Sequence, residues 1–196
     1  MTQPNLLSVP YTKLGIAAAI AFLMLLTRGS HVLTSVSLPD ASLALFLIGG
    51  LYLRKTIWFA LFVTLATAID FGAAAIDSVQ AFCLTDGYWG MLPTYAVMWL
   101  AGIWLGKQSD STDISKYSAA SIVSTFAAFM ISTQTYYLFS GRFPDAGIME
   151  SMKHGWEYLP AYMGFTIMYL AAFWALAKAL PKLHNLMKSP SSSQIV

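Results

Sequence analysis

The chain has 196 residues, 57% of them hydrophobic and 10% charged. Soluble domains carry about 25% charged residues, so the composition is that of a membrane protein, and the length fits one membrane domain over 1–196. A net charge of +2 gives no argument for a nucleic-acid partner. A lone cysteine excludes an internal disulfide, a CxxC redox pair and a cysteine-built zinc or iron–sulfur site.

Six apolar segments follow in chain order. The opening stretch MTQPNLLSVPYTK lacks a basic start, and the first apolar run has no clean cleavage site, so it does not read as a signal peptide. The first segment spans about Leu14 to Thr27. It contains GIAAAIAF, in which Gly15 and Ala19, and Ala17 and Ala21, lie four apart and permit close approach of another helix, within the chain or in a separate membrane subunit. The second, about Leu38 to Leu53, is short; Ser37 is expected to cap it and Pro39 to sit in its first turn. The third runs from about Thr56 to Ile76, the fourth from Tyr88 to Leu105, the fifth from Tyr117 to Leu138 and the sixth from Leu159 to Leu180. Several approach the roughly 20 residues that cross a ~30 Å hydrocarbon core. They are too long for strands and lack period-2 alternation. The expected fold is therefore all-α, an integral membrane bundle of six transmembrane helices, with a disordered tail at about 189–196.

Lysine and arginine set the orientation. With the N-terminus inside, Lys13, Arg54, Lys55, Lys107, Lys116, Lys178, Lys182 and Lys188 fall on the cytoplasmic side; Arg28, Arg142 and Lys153 fall outside. This bias puts both termini in the cytoplasm. His31, Asp40, Asp77, Cys83, Asp86, Asp145, Glu150, His154 and Glu157 then share the outer face.

Asp70 stands inside the third run, in FVTLATAIDFGAAAID. A carboxylate at mid-bilayer costs about 2.5–3.5 kcal/mol even on the lenient insertion scale, so it faces a cavity or bonds another helix. At ~1.5 Å per residue it lies about 21 Å along the helix from Thr56, in the outer half. Asp77 follows seven residues later with Ala73 and Ala74 between, a strip of acid, small, small, acid with room for something bulky. Cys83 stands in AFCLTDGYWG. A free cysteine is ordinarily a small buried hydrophobe. At the outer end, beside acidic and aromatic neighbours, it is also a soft ligand or nucleophile, and a metal would have to help deprotonate it. His31, in TRGSHVLTSVS, is either an ordinary loop histidine or a partner of Cys83 and Asp70 on the same face, where the three could bind a metal or its macrocycle. Tyr88, Trp89, Tyr136, Tyr137, Trp156 and Tyr158 read as an interfacial aromatic belt, with Tyr88 set apart by its nearness to Cys83. There is no G-x-x-x-x-G-K-[ST]: GIWLGKQS has the wrong spacing, so the chain has no nucleotide site or motor of its own. G-x-S-x-G, H-E-x-x-H and paired haem histidines are also missing.

A six-helix chain of this size resembles the S-components of energy-coupling-factor (ECF) vitamin transporters, small substrate-binding membrane subunits without an ATPase. Within that group, RGSHVLTSVSLPDASLALFLIGGLYLR, AIDFGAAA and FCLTDGYW are similar to the solitary cobalamin transporters of the BtuM family, over Leu14 to Leu180. The resemblance implies a multi-pass protein of the bacterial inner membrane that takes up cobalamin through an outward-facing pocket. It implies that the Cys83 sulfur binds cobalt on the lower face, displaces the nucleotide base and promotes removal of the upper ligand, such as reductive decyanation. His31, Asp70 and Tyr88 would orient the cysteine, the macrocycle or the displaced base. The small-residue face of the first helix is similar to the surface that docks on an ECF coupling module. Three other readings stand beside this one: a pure binding and transport subunit, a membrane redox protein holding haem or another metal through Cys83 and His31, and an assembly subunit whose polar residues only join helices.

Overall fold

The computed structural model describes residues 10–28, 38–77, 79–143 and 147–188. His31, Ser37 and the tail 189–196 lie outside these residues, and Cys83 is described by its backbone alone. The described residues are helical, without a strand among them. Among the described residues six longer helices are formed: α1 Pro10–Arg28, α2 Ser42–Tyr52, α3 Thr56–Ile76, α4 Met91–Leu105, α5 Ile114–Phe139 and α6 Leu159–Lys188. Two 3-10 turns, Gln80–Cys83 and Asp86–Gly90, join α3 to α4. A one-turn helix, Ile148–Ser151, and a 3-10 turn, Trp156–Tyr158, lie between α5 and α6.

Among the described residues, three stretches, Thr56–Ile76, Ile114–Phe139 and Ile148–Ala179, contain a helix long and apolar enough to cross a membrane. The protein therefore has membrane character. α3 shows it most plainly: only Phe62 and Ala66 are buried, while Ile57, Leu61, Phe71 and Ile76 stand exposed. A helix apolar all round and bare on most sides suits lipid rather than water.

α2 is the opposite case, buried along most of its length. It crosses α4 at backbone contact. A Cβ on Gly50 would lie 2.1 Å from the Trp99 carbonyl oxygen, and one on Gly102 would lie 2.0 Å from the Leu47 carbonyl oxygen. No side chain fits there, so glycine is required on both helices. Beside the crossing, Phe46 stacks on Tyr95 with ring centroids 4.1 Å apart and meets Phe59, Phe62 and Trp99 at an angle. This aromatic cluster ties α2, α3 and α4 into one core.

Two details differ from the sequence reading. α2 begins at Ser42, not near Pro39, because Asp40 folds back on the helix start: its Oδ1 accepts from the Ser42 N–H at 2.9 Å and from the Ser42 hydroxyl at 2.6 Å. The Pro39 carbonyl in turn accepts from the Tyr169 hydroxyl of α6 at 2.9 Å. In α1, the two small-residue pairs do not form one face. Ala17 is buried with Ile20 and Met24, whereas Gly15 and Ala19 are exposed.

At the end of the bundle where α2 runs into α3, Arg54 donates to the carbonyls of Leu51 and Gly106, Trp174 donates to the Thr112 carbonyl, and Lys178 pairs with Asp110 at 3.9 Å. Asp113 caps α5 there by accepting from the N–H groups of Ser115 and Lys116. The Ser115 hydroxyl, followed by these N–H groups and the Lys116 charge, holds the Asp113 carboxyl below its usual range. The opposite end carries the candidate site.

Candidate functional site: an ion-paired cavity at one end of the bundle

A cavity of ≈ 370 Å³ opens at this end. Its walls come from the end of α1 (Arg28), the approach to α2 (Asp40), the far half of α3 (Asp70, Ala73), the turns before α4 (Leu84, Tyr88) and α5 (Ser132, Tyr136). Each contributor follows from local structure. Arg28 is the last residue of α1, where a cation meets the negative end of the helix dipole. Asp40 is held by its own turn onto Ser42. Tyr88 is fixed by the 3-10 turn Asp86–Gly90, which lies so close to α5 that a Cβ on Gly90 would stand 2.4 Å from the Thr135 side chain.

Arg28 is the centre of the polar lining. Its Nε donates to Asp70 Oδ1 at 2.7 Å and its Nη2 to Asp70 Oδ2 at 2.6 Å, a bidentate pair. Its Nη1 donates to Asp40 Oδ2 at 2.8 Å and to the Ser42 hydroxyl at 3.1 Å. The Tyr88 hydroxyl donates to Asp70 Oδ2 at 2.7 Å. One guanidinium thus joins α1, the start of α2 and α3, and through Asp70 the turn that precedes α4. Side-chain exposure falls from 46% at Asp40 to 20% at Asp70 and 10% at Arg28, so the pair with Asp70 is the sheltered one. Beneath it lies Tyr95, with the guanidinium carbon 5.8 Å from its ring centroid. Tyr95 is 2% exposed, and its hydroxyl has no hydrogen-bond partner among the described residues.

The structure brings Asp70 and Tyr88 into direct contact and sets Ala73 beside them on the cavity wall. Asp77 does not join them. It is the residue after α3, in an extended conformation and exposed, and it accepts from the Val79 N–H at 2.9 Å. The strip of two acids therefore ends at Ala73, because the helix stops before Asp77 can face the cavity. Leu84, the neighbour of Cys83, lines the cavity. The Phe82 carbonyl on its other side accepts from Arg142 Nη2 at 2.8 Å, with the guanidinium carbon 3.6 Å from the Phe82 ring centroid. Of the expected aromatic belt, Trp89, Trp156 and Tyr158 are exposed, but Tyr137 is packed against Phe143 and His154. Among the described residues, no group of three His, Cys, Asp or Glu side chains is set to hold a metal ion.

Sequence reasoning missed Arg28 and Asp40 as site residues. The signal was present: a cation closing the first apolar run, and an acid within the third, both at the same end. No family model matches the chain, and no curated protein matches it either.

Proposed function

We propose that this protein is a cobalamin-uptake subunit of the bacterial inner membrane, of the ECF S-component type and similar to the BtuM family. In this reading six helices cross the membrane, both termini are cytoplasmic, and the cavity end faces outward. The Cys83 thiolate gives an electron pair to cobalt on the lower face, the nucleotide base leaves that face, and an upper ligand such as cyanide is released from the other. His31, Asp70 and Tyr88 orient the sulfur, the macrocycle or the freed base. Any energy-coupling module would dock from the lipid side of α1.

What supports the reading is one juxtaposition: Asp70, Tyr88 and Leu84, the residue next to Cys83, line the same cavity. That cavity is smaller than a whole corrinoid, so the vitamin would sit across its mouth with the macrocycle over the polar lining. The direct test is cobalamin-dependent growth of a strain lacking its own importer. The protein is expected to restore growth, and Cys83→Ser to restore it poorly or not at all. Wild-type protein that fails to restore growth while well expressed sinks the proposal.

A second reading has its own observation. The bidentate Arg28–Asp70 pair is what an acid that only joins helices would make. On that reading Asp70→Asn alters stability and no vitamin binds; a folded Asp70→Asn variant with lowered cobalamin affinity, beside a wild type that binds it, decides against it.

A further inference from the structure

The polar lining of the cavity is not balanced. Arg28 has five N–H donors. Four are spent, on Asp70 twice, on Asp40 and on the Ser42 hydroxyl. A pair of carboxylates offers about eight lone-pair sites. Asp70 accepts three bonds, from Nε and Nη2 of Arg28 and from Tyr88. Asp40 accepts three, from Nη1 of Arg28 and twice from Ser42. One acceptor position is therefore left on Asp70 Oδ1 and one on Asp40 Oδ2, and both residues line the cavity. The three charged groups sum to −1, one guanidinium against two carboxylates. Asp40 is the more open of the two acids, at 46% exposure against 20%.

We infer that Asp40 is a specificity-determining residue of this cavity, which selects for ligand groups that donate N–H bonds and against carboxylates. The inference rests on the cobalamin reading above. Cobalamin carries primary amides around its macrocycle, and hydrolysis of one amide gives a carboxylic acid of nearly the same shape. An amide N–H meets a free acceptor on Asp40. The acid, ionised at neutral pH, meets the like charge of Asp40, and Arg28, the cation paired with it among the described residues, has four of its five N–H donors already spent. Hydrogen bonds to charged groups are the stronger class, so exchanging one for a like-charge contact lowers affinity by tenfold or more.

The experiment uses the purified full-length protein in detergent. Cobalamin and each of its peripheral monocarboxylic acids are titrated by calorimetry into wild type, Asp40→Asn and Asp40→Glu. The expected result is that at least one monoacid binds wild type more weakly than cobalamin by about tenfold or more. Asp40→Asn, which can itself donate to a carboxylate, brings that ratio close to one, and Asp40→Glu keeps it. If cobalamin binds but every monoacid binds wild type as tightly, the selectivity inference falls while the cobalamin reading stands. An unchanged ratio in a folded Asp40→Asn variant likewise removes Asp40 from the role. If that variant does not fold, the wild-type comparison and Asp40→Glu still decide. If folded wild type binds no corrinoid, the cobalamin reading fails first and the inference with it.

Discussion

α2 and α3 are joined by the short turn at 53–55 and are held in opposite ways. α2 is buried along most of its length and crosses α4 where glycines let backbones touch. α3 is nearly twice as long and buries only Phe62 and Ala66. Its grip near the cavity is electrostatic, through Asp70 to Arg28 and Tyr88. The difference separates two jobs. Packing, which needs no ligand, fixes the centre of the bundle. Charge, placed on a helix with few buried contacts, fixes the wall of the cavity and leaves acceptors free for something else.

The largest effect is expected at the packed crossing. Gly102→Val puts a branched side chain into the Leu47 carbonyl and should cost about 3 kcal/mol or more. Thermal unfolding in detergent checks this, with Gly15→Val as the control: nothing lies within 4 Å of a Cβ there, so its transition should shift little. Equal behaviour of the two variants would break the packing half of the comparison. Next comes Asp70→Asn, which leaves the sheltered Arg28 charge with Asp40 alone and should cost about 3 kcal/mol. The exposed Asp77→Asn should stay within about 0.5 kcal/mol. Tyr88→Phe removes one hydrogen bond to a carboxylate and should cost about 1.5 kcal/mol, less than Asp70→Asn by the same unfolding assay. The smallest effect lies at the far end. Asp113 has its carboxyl held low by the Ser115 and Lys116 bonds, so its contribution is complete above the ordinary aspartate pKa of about 4 and is lost as pH falls through the lower folded value. Acid titration of hydrogen exchange at the start of α5 should show earlier opening only in the wild type; an Asp113→Ala protein should start open and show no such step.

Much of this was legible in the sequence because a bilayer imposes simple rules. Apolar length marked five of the helices to within about four residues at each end, whereas α6 runs on past Leu180 to Lys188 because its last turns are polar; the cost of an acid within an apolar run singled out Asp70. The start of α2 was misplaced for a physical reason. Pro39 and Ser37 carry generic start signals, whereas the true start depends on Asp40, whose role is set by Arg28 from another helix. The same dependence hid Asp40 and Arg28 from the site: Arg28 shows in the sequence only as a cation closing the first apolar run, and its partners Asp40 and Asp70 lie 12 and 42 residues away in the chain. Asp77 erred the other way. Helical spacing put it on the Asp70 face, but α3 ends at Ile76 and the acid turns out to cap Val79 instead. The α1 small-residue pairs blurred because a spacing of four within each pair does not say which pair faces the core; Ala17 does, and Gly15 does not.

The most direct measurement of the central claim is the absorption spectrum of purified protein loaded with cyanocobalamin, paired with an assay for free cyanide. Sulfur ligation by Cys83 predicts a shift of the corrin bands and release of cyanide in the wild type, both lost in Cys83→Ser. A wild-type spectrum identical to free cyanocobalamin, or a Cys83→Ser protein that shifts the bands and releases cyanide equally, would contradict the account.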